Sequence, residues 1–155
     1  MSGPDSGPDS GPDEAHQRPA GMTDATVDAL GKLSKALETI EDARGSLYRF
    51  HRLSGTADFE LGDAVAALRE AGHTDLADRV ETELLGRNVL PGRWTFQIVE
   101  GYDATYYSKF KELEEVARHE LADGKRHLYE AELKEQRRSA GEPAHEAQPK
   151  DVGTA

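Results

Sequence analysis

Arg44, His51 and Asp103 place ionisable groups where helical spacing asks for apolar ones. Arg44 follows Ile40 by four residues and precedes Tyr48 by four; His51 follows Leu47 by four and Tyr48 by three; Asp103 follows Val99 by four and precedes Tyr106 by three. At 3.6 residues per turn, each projects from the apolar face of its helix. A buried charge without a partner costs several kcal/mol, so these groups must be paired or must line a cleft. Two chemistries fit. One is an Arg44–Asp103 ion pair that fixes the register of two helices. The other is a polar pocket of Arg44, His51 and Asp103, completed by Tyr102 or Tyr106. Buried pairs are more often structural than catalytic, which favours the first.

A second constellation lies in the basic turn Gly86-Arg87-Asn88-Val89-Leu90-Pro91-Gly92-Arg93 and the aromatic stretch behind it. Trp94, Phe96, Tyr102, Tyr106, Tyr107 and Phe110 are six of the ten aromatic residues of the chain. Arg87, Asn88 and Arg93 precede a predicted helix whose free N–H groups favour a small anionic ligand or an acidic partner segment. Turn chemistry accounts for the same residues without a ligand. Pro91-Gly92 makes the turn, Asn88 caps locally, and the arginines bond carbonyls at the end of the preceding helix.

No catalytic residue is assigned, because no Ser/His/Asp order, phosphate loop or nucleophile motif accompanies these groups. With no cysteine, disulfides, thiolate chemistry and cysteine-bound metals are excluded. Glu115 and His119 have the spacing to share a metal but project opposite the expected core, so Glu112, Glu114, Glu115, Arg118 and His119 read as a solvated face. Glu70-Ala-Gly-His73 resembles one element of a di-iron bundle, but its companion glutamates are missing. No metal and no cofactor is expected.

The elements that position these residues read as helices throughout. From the N-cap types Thr23 and Asp24, the residues Val27, Leu30, Leu33, Leu37, Ile40, Leu47 and Tyr48 predict a long helix over about 24–53, with Ser54-Gly55 as its stop. A short helix from about Asp58 carries Leu61, Val65 and Leu68 to Ala71-Gly72, and another carries Leu76, Val80 and Leu84. A second long helix, about 94–122, presents Val99, Tyr102, Tyr106, Phe110, Leu113, Ala117 and Leu121 as its core stripe. The β-branched Thr95–Val99 run leaves a minor strand alternative. Asp123-Gly124 separates a C-terminal helix with Leu128, Tyr129 and Leu133. The fold class is therefore all-α, an antiparallel helical bundle. In that topology Arg44 and Asp103 both lie about 13 Å from a shared end, within reach of each other.

The bundle is expected over 23–139 as a single domain. Residues 1–22, with Ser-Gly-Pro-Asp three times over, and residues 140–155 are expected to be disordered tails, and Met22 is an alternative start. A net charge of −11 opposes nucleic-acid binding, and no apolar run is long enough for a membrane span. A cytoplasmic protein-interaction or self-assembly module is the expectation, with a protein partner or a homo-oligomer. The alternative is a ligand-binding or enzymatic bundle with its pocket near Arg44, His51, Trp94 and Asp103.

Overall fold

The computed structural model describes residues 11–150. The first two copies of the Ser-Gly-Pro-Asp repeat and the last five residues, read above as parts of disordered tails, lie outside the described residues. The protein is all-α, as its periodicity predicts: α1 (Asp24–Glu70), α2 (Thr74–Glu83), α3 (Thr95–Tyr102), α4 (Ser108–Ala122) and α5 (Leu128–Arg137), preceded by one 3₁₀ turn (Glu14–His16). A π-helical segment, Asp103–Tyr107, joins α3 to α4 without a break. Among the described residues there is no strand, only an isolated bridge between Leu90 and Arg93.

The first helix does not stop at Leu53. α1 runs for 47 residues, straight through Ser54-Gly55 and on to Glu70, so the separate short helix expected from Asp58 is its continuation. A single glycine costs a helix only about 1 kcal/mol relative to alanine. Against that stands an inward seam that never lapses. Leu30, Leu37, Arg44, His51, Asp58 and Val65 recur every seven residues, with Leu33, Ile40, Leu47, Ser54, Leu61 and Leu68 three further on, and all are buried or half-buried. The stop comes at Gly72, in the left-handed region at φ +89°, where His73 N–H bonds back to Leu68 O at 2.9 Å.

Residue contacts gather into two units, Glu38–Phe110 and the remainder of the chain. In the unit formed by the two ends of the chain, Leu30, Ala122 and Leu128 make a small core that Met22 and Ala117 flank. Arg18 grips Glu132 with two nitrogens, Lys125 Nζ donates to Gln17 O at 3.0 Å, and Lys134 Nζ donates to Ala147 O at 2.8 Å. Residues adjoining the helices at both ends of the described chain thus have defined partners.

The core stripe expected on the second long helix holds at Val99, Tyr102, Phe110 and Ala117 and fails at Tyr106, Leu113 and Leu121. Tyr106, Leu113 and Leu121 are about half-exposed, whereas Glu114, Arg118 and Ala122 are buried. In the π turn the Ser108 N–H bonds to Asp103 O, five residues back rather than four. The extra residue turns everything downstream by one position, so the inward face runs through Thr95, Val99, Asp103, Tyr107, Phe110, Glu114, Arg118 and Ala122. Glu114 and Arg118, expected on a solvated face, are therefore inside. Arg118 bonds both Glu114 oxygens at 3.3 and 3.4 Å and Gly124 O at 3.0 Å, and Ser34 Oγ donates to Glu114 at 3.1 Å. Glu115 and His119 are exposed, as expected.

Candidate functional site

Within the Glu38–Phe110 unit, three consecutive heptad positions of α1 are polar, and each meets a partner from the stretch 86–103. Arg44 donates from Nε to Asp103 Oδ1 at 2.7 Å and from Nη2 to Oδ2 at 2.9 Å. His51 Nδ1 lies 2.8 Å from the hydroxyl of the buried Thr95. Asp58 Oδ1 accepts the Gly86 N–H at 2.8 Å. As residue numbers rise along α1 they fall in the partners, which is the antiparallel arrangement inferred from sequence. The matched depth of Arg44 and Asp103 is real.

The Arg44–Asp103 pair is built by the π segment, which opens at Asp103 and closes at Tyr107. Both residues face α1. Arg44 lies 5.2 Å from the centre of the Tyr107 ring and 5.9 Å from that of Tyr48, and Tyr107 Oη donates to Glu41 Oε2 at 2.6 Å. The bidentate bond to Asp103 pushes the Arg44 guanidinium further up from its ordinary value. The hydrogen bond to Glu41 raises the Tyr107 phenol, because only the neutral form can donate it. Thr105 and Ser108 hydroxyls donate to Gly101 O at 2.6 Å and Ala104 O at 2.9 Å, serving carbonyls beside the π turn. Charges, rings and hydroxyls answer one another here.

The polar groups do not converge into a single Arg44–His51–Asp103 pocket, since His51 turns to Thr95. The open volume lies further along α1. A cleft of about 840 Å³ is walled by Ser54, Gly55, Ala57, Asp58, Phe59 and Leu61 on one side and by Leu84, Gly86, Arg87, Asn88, Val89, Trp94 and Thr95 on the other. Pro91-Gly92, with Gly92 at φ +71°, makes a tight turn closed by Arg93 N–H to Leu90 O at 3.0 Å. The turn delivers Trp94 to the cleft, and the indole N–H fixes it there by donating to Gly86 O at 3.2 Å.

Of the residues singled out in the basic turn, Arg87, Asn88 and Trp94 line this cleft; Arg93 does not. Arg87 Nη1 donates to Glu83 O at 3.3 Å, at the end of α2, and the Trp94 N–H at the start of α3 is taken by Gln97 Oε1 at 2.8 Å. Both are local turn and cap chemistry. Tyr102, Tyr106 and Phe110 form a ladder, with centroids 5.6 and 6.0 Å apart. Sequence reasoning missed Asp58, Thr95 and Phe59. A readable sign for Asp58 was its position, one heptad after His51. Phe59, 82% exposed on the cleft wall, had one as well: two residues before Leu61, it projects away from the face of Leu61, Val65 and Leu68.

No family model, no curated protein and no solved structure matches this chain. No helix among the described residues is long and apolar enough to cross a membrane.

Proposed function

We propose that this chain is a protein-interaction module that docks through the open cleft of the Glu38–Phe110 unit. One observation carries the reading: the imbalance between what that unit buries and what it leaves in water. Its buried apolar residues are Val65, Ala77 and Val99, whereas Phe59, Leu84, Val89 and Trp94 around the cleft are exposed by 46% or more. Large apolar side chains gathered at one opening mark an interaction site more often than a free surface. The net charge of −11 supports a protein partner rather than a nucleic acid, and a cysteine-free composition accords with a cytoplasmic setting. A small carboxylate or phosphate ligand is the second reading, favoured by Arg87 and Asn88 in the lining.

Native mass spectrometry of the protein purified from its source, beside a Phe59→Ser variant, tests the proposal. A bound protein chain, whether foreign or a second copy, is expected on the parent and lost from the variant, with helix content unchanged in circular dichroism. A parent that carries no other chain, or carries one that Phe59→Ser leaves in place, refutes it. A bound small molecule instead selects the second reading.

A further inference from the structure

α1 carries a second seam on its outer side. Tyr48, Arg52, Gly55, Phe59, Gly62 and Ala66 follow one another at alternating steps of four and three, so they share one stripe about 80° wide at 100° per residue. Tyr48, Arg52, Gly55, Phe59 and Ala66 are exposed and Gly62 is half-buried. Their sizes are arranged symmetrically about residue 57. Tyr48 and Ala66 lie equally far from it, as do Arg52 and Gly62, and Gly55 and Phe59. In every pair one side chain is large and the other small.

From this pattern we infer that the module's partner is a second copy of itself, and the inference rests on the docking role of the preceding section. Two α1 helices pack antiparallel about a two-fold axis near residue 57. The Phe59 ring of each copy lies over the bare backbone at Gly55 of the other and reaches the Trp94–Leu84 wall of its cleft. A two-fold contact requires such a surface, since every knob must find its hole on the same patch. Gly55 is the telling residue. A Cβ built there meets nothing within 4 Å, as at the helical glycines Gly45 and Gly101, so nothing among the described residues calls for a glycine that weakens the helix, and of these three Gly55 alone lies on the stripe. A second helix approaching closely does.

Charge and area agree. The antiparallel register brings Arg52 of one copy beside Asp63 of the other, opposite charges at the rim of the contact. At their exposed fractions, Tyr48, Phe59, Leu84 and Trp94 offer about 500 Å² of apolar surface per copy, taking side chains of ordinary size. One face of a standard interface, about 800 Å² per partner, is apolar over roughly the same area.

Sedimentation equilibrium of the full chain from 1 to 100 μM, on the order of ordinary dimer affinities, tests the inference. A dimer is expected. Gly55→Leu and Phe59→Ala should each weaken it at least about tenfold while keeping the helical spectrum, since Gly55 faces open space in the single chain. Arg52→Asp should weaken the dimer, and the added change Asp63→Arg should restore it, an outcome no general loss of folding can imitate. A dimer indifferent to all of these overturns the inference. So does a chain that stays monomeric while a foreign protein binds the parent and not Phe59→Ala, and that result leaves the docking module standing. A monomer for which Phe59→Ala abolishes no association of any kind overturns both.

Discussion

Deleting Ala104 is expected to leave the protein folded and nearly as stable as before. In a regular α-helix the loss of one residue turns all that follows by about 100°. It would carry Glu114, Arg118 and Ala122 out of the packed face. Glu114 and Arg118, 7% and 6% exposed, would turn together as an i,i+4 pair but leave Ser34, and Ala122 would leave Leu30, a loss on the order of 2–3 kcal/mol. The π segment holds one residue more than an α-helical turn needs, so removing Ala104, whose methyl is exposed, takes up that slack. Ser108 N–H then finds its carbonyl four residues back and the downstream face keeps its direction. Urea melts followed by circular dichroism should place the deletion within about 1 kcal/mol of the parent. Removing Ala104 and Thr105 together exceeds the slack and should cost about 2–3 kcal/mol. A loss that large from the single deletion would refute the π register, and with it the explanation of why Leu113 and Leu121 lie outside.

Arg118→Met should destabilise by about 3–5 kcal/mol, with much of the loss recovered on adding Glu114→Leu, because the lone carboxylate is what the interior cannot tolerate; denaturant melts of the four forms decide it. Trp94→Phe removes the indole bond to Gly86 O and should cost about 1 kcal/mol. As the chain has one tryptophan, a blue shift of its emission with protein concentration should report closure of the cleft. Tyr107, raised by its bond to Glu41, should ionise above the ordinary phenol value of 10.0 in a 295 nm titration. Its stabilisation is present in full below that value and is lost as pH rises through the raised one; Glu41→Gln should bring the pKa down. Arg44→Gln and Asp103→Asn should each lower the thermal midpoint, and the double variant by less than their sum; additive losses would mean the pair is uncoupled.

The sequence by itself determined the helical class, because a heptad of apolar residues can be satisfied only by a helix packed along one side. It also determined the antiparallel pairing of Arg44 with Asp103, since two charges intruding at equal depth into facing stripes have each other as the cheapest remedy. The end at Gly72 and the turn at Pro91-Gly92 were legible for the same local reason: their backbone angles suit few other residues. Tertiary structure alone decided the rest. Ser54-Gly55 is a good stop in isolation, and the continuing seam on both sides of it overrode that preference. The π turn has no sequence signature at this level, and one extra residue in it exchanged Leu113 and Leu121 for Glu114 and Arg118. Phe59 stands off the stripe of Leu61, Val65 and Leu68, but only the tertiary structure put Leu84 and Trp94 around the same cleft, because periodicity tells which residues share a face and not what lies across from it.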